Sequence, residues 1–229
     1  MTAPERRLDV AGLSTIAVGD AEAERVVVFL HGRMMAAGDL APFAHSLGMP
    51  GYFLFPDAPI AAPAGGYSWW PIAPEARAQA LAGAAPDLAW FDPPGRAEAR
   101  ETLAAFCASL PADRDIVLAG FSQGGMLAMD HVLHDGRADA LVLLSSSRIA
   151  FFDWQPRLDR LRGLPMLIAH GRADTELGFA AGEGLRDAAR DGGADVAWLP
   201  FDGTHEIPLV VWRALRKFLG RRFPARWAG

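Results

Sequence analysis

Ser122 lies in Gly120-Phe-Ser122-Gln-Gly124, at the junction between an apolar, β-branched run and a segment of helix formers that resumes at Met126. Strand, tight turn and helix around a serine is an arrangement that lifts the hydroxyl clear of a sheet edge. Only small neighbours fit beside it, which explains the flanking glycines. The five-residue pattern is weak by itself in a chain with 24 glycines, and the context on both sides is what gives it weight. A serine hydroxyl is a poor nucleophile at neutral pH. It needs a histidine to accept its proton and a carboxylate to orient that histidine. In a sheet with the serine on a central strand, these partners follow it in the order acid, then histidine. Among six histidines, His31 and His170 end strands and begin loops, and His45, His131 and His134 fall on helical stretches. His205, in a loop between the last strand and the last helix, is the base that satisfies the order. Asp174 closes the loop 169–174 directly after a strand and is the favoured acid. Its simpler role is an N-cap. Asp202, on the same loop as His205, and Asp153, on a longer loop, are the alternatives. Two backbone N–H groups should meet the oxyanion, that of Gln123 after the nucleophile and that of Arg33 after an early strand.

The elements that must position these groups alternate. Near-continuous apolar runs at 25–31, 51–55, 115–119, 140–144, 165–169 and 196–199 read as strands covered on both faces. Helical patterns at 39–48, 95–110, 123–135, 179–191 and 207–219 lie between them. This alternation predicts an α/β fold, a mostly parallel central sheet with helices on both faces. Residues 14–18 add a leading antiparallel strand. Residues 56–93, rich in Pro and Gly and carrying Tyr67, Trp69, Trp70, Trp90 and Phe91, break the rhythm. They read as a loop-rich excursion over the active-site edge of one domain spanning 1–229, within which 60–92 is the candidate lid.

Bulk properties narrow the partners. A net charge of −5, with a single lysine in 229 residues, argues against a nucleic-acid partner. Cys107 is the sole cysteine, which excludes an internal disulfide and a multi-cysteine metal site; it reads as a small core residue. The first residues lack the apolar core of a secretion signal, and no apolar run approaches membrane-spanning length. A cytoplasmic protein without stable membrane insertion is the expectation. The tail 223–227 is apolar enough to seat a second copy, so a homodimer is an open expectation.

The motifs resemble the phospholipase/carboxylesterase group of α/β-hydrolases, which includes carboxylesterases and acyl-protein thioesterase-like enzymes. The matching pieces are Leu30-His-Gly-Arg33, Pro56-Asp-Ala-Pro59, Tyr67-Ser-Trp-Trp70, Gly120-Phe-Ser-Gln-Gly-Gly125, His170-Gly-Arg-Ala-Asp174 and Gly203-Thr-His-Glu206, spread over almost the whole chain. The resemblance implies an α/β-hydrolase fold, esterase or thioesterase activity on a small-molecule ester, Ser122, Asp174 and His205 as triad, and no cofactor or metal. Two departures stand out: Met34-Met35 where the family often has glycine, and Leu177-Gly178 where it usually has Val-Pro.

Met34, Met35, Trp69, Trp70 and Phe121 are the candidate pocket residues, suited to an uncharged acyl group. The two tryptophans have a second reading, as packing over the core. A carboxylesterase is favoured over a thioesterase or lysophospholipase on the same triad. A non-catalytic binding protein that retains the fold is the alternative of another class.

Overall fold

The computed structural model describes residues 5–71 and 87–222. An eight-stranded sheet runs in the spatial order β1-β2-β4-β3-β7-β8-β9-β10. Its strands are β1 (Glu5–Val10), β2 (Leu13–Gly19), β3 (Arg25–Leu30), β4 (Tyr52–Pro56), β7 (Asp115–Phe121), β8 (Ala140–Leu144), β9 (Pro165–Gly171) and β10 (Asp195–Phe201). β2 pairs with β1 and β4 antiparallel, and every later pairing in this sheet is parallel. A two-stranded hairpin, β5 (Ile60–Ala61) and β6 (Tyr67–Ser68), stands apart. The α/β-hydrolase architecture expected from the motifs is the one present.

Both faces of the sheet are covered, which is why its strands are continuously apolar. Val26, Val28 and Leu30 of β3 enter one core with α3 (Arg96–Ala108), α4 (Gln123–Leu133) and α6 (Phe179–Asp191). The alternate residues Val27 and Phe29 enter the other, with α1 (Ala37–Leu40), α2 (Pro42–Leu47) and α7 (Leu209–Arg222). β7 and β9 divide in the same way, Ile116, Leu118, Met166 and Ile168 to one side, Val117, Ala119, Leu167 and Ala169 to the other. This is the period of two that pleating imposes.

Three elements differ from expectation. The helix predicted over 39–48 is two short helices, because Pro42 lacks an N–H and can only open a new helix; it sits at the first position of α2. β1 escapes notice in the sequence because its residues, Glu-Arg-Arg-Leu-Asp-Val, are mostly polar and exposed. Pairing fixes it instead: Ala11 (φ 51°) and Gly12 (φ 83°) form a two-residue turn whose positive φ values match the twist of the hairpin. A short helix α5 (Phe151–Trp154), continued by a 3₁₀ turn (Gln155–Leu161), stands where a long loop was expected. Part of the candidate lid, 72–86, and the tail 223–227 lie outside the described residues.

The chain steps from β3 outward to β4 and then returns to β7 on the other side of β3. In open α/β sheets, ligands bind beyond the carboxyl ends of the strands at such a reversal. Leu30 pairs in register with Gly120, so the carboxyl ends of β3 and β7 deliver residues 31–33 and Ser122 side by side.

Candidate active site

Ser122 caps the N-terminus of α4 with φ 52° and ψ −118°, a conformation side chains rarely adopt. Four bonds hold it there. Its N–H donates to Leu144 O at 2.9 Å, and its carbonyl accepts from the Gly125 and Met126 amides. The buried Ser146 hydroxyl also donates to that carbonyl, at 3.0 Å. The glycines are demanded by close approach. A Cβ on Gly120 would lie 2.3 Å from the Gly124 carbonyl carbon, and one on Gly124 would lie 2.3 Å from Leu30 O. The strand end and the start of α4 thus touch backbone to backbone.

Asp174 and His205 come together from adjacent strand ends. The Asp174 loop follows β9 and the His205 loop follows β10; the Arg172 and Ala173 amides donate to Phe201 O and Gly203 O, each at 2.9 Å. His205 Nδ1 lies 2.7 Å from Asp174 Oδ2. Asp174 Oδ1 accepts the Glu176 and Leu177 amides, both at 2.9 Å. Burial alone would raise the pKa of this carboxyl, but the hydrogen bonds from His170, His205 and the Leu177 amide outweigh it and hold the group ionised well below the usual carboxylate range. The His205 ring packs 4.8 Å from that of Phe121, the residue before Ser122. The alternative acids are elsewhere. Asp202 is 97% exposed at its side chain and faces Arg172, while Asp153 sits on α5 paired with Arg96 and Arg157.

Gln123 opens α4, where helix geometry leaves its N–H without an intrahelical acceptor. Its side chain has a part that sequence reasoning missed. Oε1 accepts the Trp69 amide at 2.9 Å, and Nε2 donates to Trp70 O at 3.0 Å, so the residue after the serine clamps the excursion to the site. His31 is a second such brace. Its Nδ1 donates to Gly32 O at 2.7 Å and its Nε2 accepts from the Ala58 amide at 3.0 Å, fixing the turn that carries Arg33. Burial lowers the basicity of this imidazole. A Cβ on Gly32 would lie 2.9 Å from the Phe121 ring, so the Arg33 turn and the serine turn are in contact.

The five candidate pocket residues separate. Trp69 and Trp70 are each 1% exposed and belong to the core, with the Trp69 indole N–H donating to His31 O at 3.0 Å. This is the packing reading of the pair: buried on this scale, they brace the site from beneath. Met34 is 40% exposed, with φ 62°, in the position where glycine was expected, and its amide donates to Tyr67 O at 2.7 Å. Met35 is half-buried and bridges to Tyr67, and Phe121 is buried beside His205.

The model of the phospholipase/carboxylesterase family matches residues 11–221. The chain belongs to the phospholipase/carboxylesterase family. Membership in this hydrolase family supports hydrolysis of an ester or a thioester. An acyl-protein thioesterase 1 of Neurospora crassa is 30% identical to the new family member over 120 residues, covering 50% of this chain and 49% of that protein. The chain therefore spans about half the length of the curated relative it matches. The crystal structure of esterase PE8 superposes with a TM-score of 0.73 at 25% identity, covering 96% of this phospholipase/carboxylesterase chain and 98% of that one. Zea mays acyl-protein thioesterase 2, at 20% identity, shares the fold with a TM-score of 0.73 over 90% of this chain and 97% of its own. No helix among the described residues is long and apolar enough to cross a membrane.

Proposed function

We propose that this family member is a serine hydrolase cleaving carboxylic esters of small or medium apolar acyl groups through an acyl-enzyme. The observation that carries the reading is the 2.7 Å contact between His205 Nδ1 and the ionised Asp174, beside a serine held at φ 52° on the same sheet edge. Ser122 Oγ attacks the carbonyl carbon while His205 Nε2 accepts its proton. Asp174 keeps the imidazole hydrogen on Nδ1 and stabilises the imidazolium that forms. The Gln123 and Arg33 amides meet the oxyanion, the first helped by the positive end of α4. His205 then protonates the leaving oxygen or sulfur, and water, deprotonated by the same imidazole, releases the acid. The apolar surface of Met34, Met35 and Phe121 favours an uncharged acyl group. A thioester bond is the second reading, favoured by the name of the Neurospora relative, and a lysophospholipid bond is its variant on the same triad.

Ser122→Ala is expected to lower kcat on an activated short-chain ester by at least about a thousandfold, since removal of a triad nucleophile has effects of this order or larger. Turnover at the wild-type rate, or absence of fluorophosphonate labelling at Ser122, would return the chain to a non-catalytic binding role. Matched oxyesters and thioesters of one acyl length, with a lysophospholipid alongside, separate the two catalytic readings.

A further inference from the structure

His170 is a histidine the triad does not use, yet it is fully buried against the triad acid. Its Nε2 lies 2.9 Å from Leu177 O and 3.3 Å from Asp174 Oδ2. Both neighbours are acceptors, so the hydrogen that satisfies them sits on Nε2. Nδ1 faces α6 and has no hydrogen-bond partner among the described residues. A hydrogen there would be a buried donor without an acceptor, an arrangement that folded proteins avoid. The space for the ring comes from Gly182, where a Cβ would lie 2.4 Å from Nδ1. On the same side the Phe179 ring meets the imidazole edge-on at 6.3 Å. The polar groups facing His170 are therefore Asp174, the Leu177 carbonyl and, through Asp174, His205.

The carboxylate thus has four N–H groups around it. Oδ1 accepts the Glu176 and Leu177 amides and Oδ2 accepts from His205, while the single His170 Nε2 hydrogen, bonded to Leu177 O, also faces Oδ2 at 3.3 Å. Leu177 is held twice, by its amide on Asp174 and by its carbonyl on His170. The loop runs on into Gly178, and His170 closes it from the other side.

We propose that His170 is a positioning residue of the triad: its Nε2–H ties the Asp174 carboxylate to the 174–177 loop and fixes the orientation in which Oδ2 receives His205. The proposal rests on the triad reading given above. It also has an electrostatic consequence. His170 shares Oδ2 with His205, so its loss concentrates the charge of Asp174 on His205 and stabilises the imidazolium.

The test compares His170→Gln, which returns an N–H donor near the Nε2 position, with His170→Leu, which returns none. The pH dependence of kcat and kcat/KM is measured for both on an activated short-chain ester. For His170→Leu, kcat is expected to fall about 10–100-fold with little change in KM, in the range seen when outer partners of metal-bound histidines are lost. The acid limb of its kcat/KM profile, which reports the base in the free enzyme, moves to higher pH. His170→Gln restores most of kcat and the wild-type limb. Wild-type kcat and limb in His170→Leu overturn the proposal; so does equal loss in both variants with an unmoved limb, which is a packing defect alone. If the leucine variant does not fold, nitrogen-15 NMR of the wild-type histidines decides: His170 carrying its hydrogen on Nε2 supports the proposal, and the Nδ1–H form overturns it. Ser122→Ala run in parallel keeps the two ideas apart. Its retained turnover would sink the triad itself, whereas an inactive Ser122→Ala with a wild-type-like His170→Leu would sink the role of His170 alone.

Discussion

Ser122 holds a backbone conformation that costs about 1–3 kcal/mol on its own and survives because its surroundings over-determine it. Its N–H and carbonyl are both bonded, and two glycines remove the atoms that would block the turn. Gly124→Ala is accordingly the sharpest probe of the turn. The new methyl would meet Leu30 O at 2.3 Å and His31 O at 2.7 Å, both main-chain atoms that cannot swing away. Overpacking of this kind is expected to cost about 1–3 kcal/mol in urea denaturation. In the folded fraction, kcat/KM should fall about a hundredfold, the effect of an ångström-scale displacement of catalytic groups. A folded Gly124→Ala with wild-type turnover would show that the contact between β3 and α4 does not set the serine's position. At this scale the sequence marked Ser122, Asp174 and His205 as candidates, because type, order and place after a strand are all local. The braces were not. Nothing about Gln123, His31 or Ser146 in the linear chain announces that their side chains bond to residues 54, 27 and 24 positions away.

At the scale of elements, Gln123 supplies two of the bonds that hold the excursion after β4 against the site. Gln123→Leu keeps side-chain bulk and helix propensity but leaves the Trp69 amide and the Trp70 carbonyl buried without partners. A loss of about 2–6 kcal/mol is expected by denaturant titration, followed through tryptophan fluorescence, from about 1–3 kcal/mol for each of the two orphaned groups. A loss below about 0.5 kcal/mol, the range of ordinary surface substitutions, would mean the clamp is dispensable. On the opposite side of the helix layer, buried Asp130 of α4 accepts from Arg96 and Arg100 of α3 and from the Trp154 indole of α5. These charge-assisted bonds lock three elements in one arrangement. Helix α6 was legible to the residue because its buried positions, Ala181, Leu185, Ala188 and Ala189, recur on one face. The break between α1 and α2 turned on Pro42, whose effect a periodic pattern does not register. β1 shows the converse, a strand made by its partner and its turn and not by its composition.

For the whole molecule, burial of histidines makes stability depend on pH in a definite direction. Burial pushes His131 down to about 4 from an ordinary 6.5 and lowers His31 as well. Between those values the unfolded chain binds more protons than the folded one, so stability falls as pH drops. On the order of 2 kcal/mol should be lost from His131 between pH 6.5 and pH 5, at 1.36 kcal/mol per unit of differential protonation. Asp174 acts in a lower window with the carboxylate sign: its contribution is present above the ordinary 3.8 and is lost as pH falls towards its depressed folded value. Urea midpoints at pH 7, 6 and 5 check the histidine window. His131→Leu should flatten the profile there, and an unchanged slope would show that the buried imidazole is not its source.

What the sequence by itself determined follows from local rules. Apolar runs that alternate with helical periods specify a covered, mostly parallel sheet. The order of serine, acid and histidine at strand ends specifies the candidate machinery on one edge. The tertiary structure decided which acid faces the histidine, because Asp202 and Asp153 differ from Asp174 in where their strands and helices place them and not in residue type. It also decided that Trp69 and Trp70 support the site from within the core, and that His170 stands behind Asp174. These depend on pairings between residues distant in the chain, set by sheet order and helix packing, and no local pattern of apolar and polar residues encodes them.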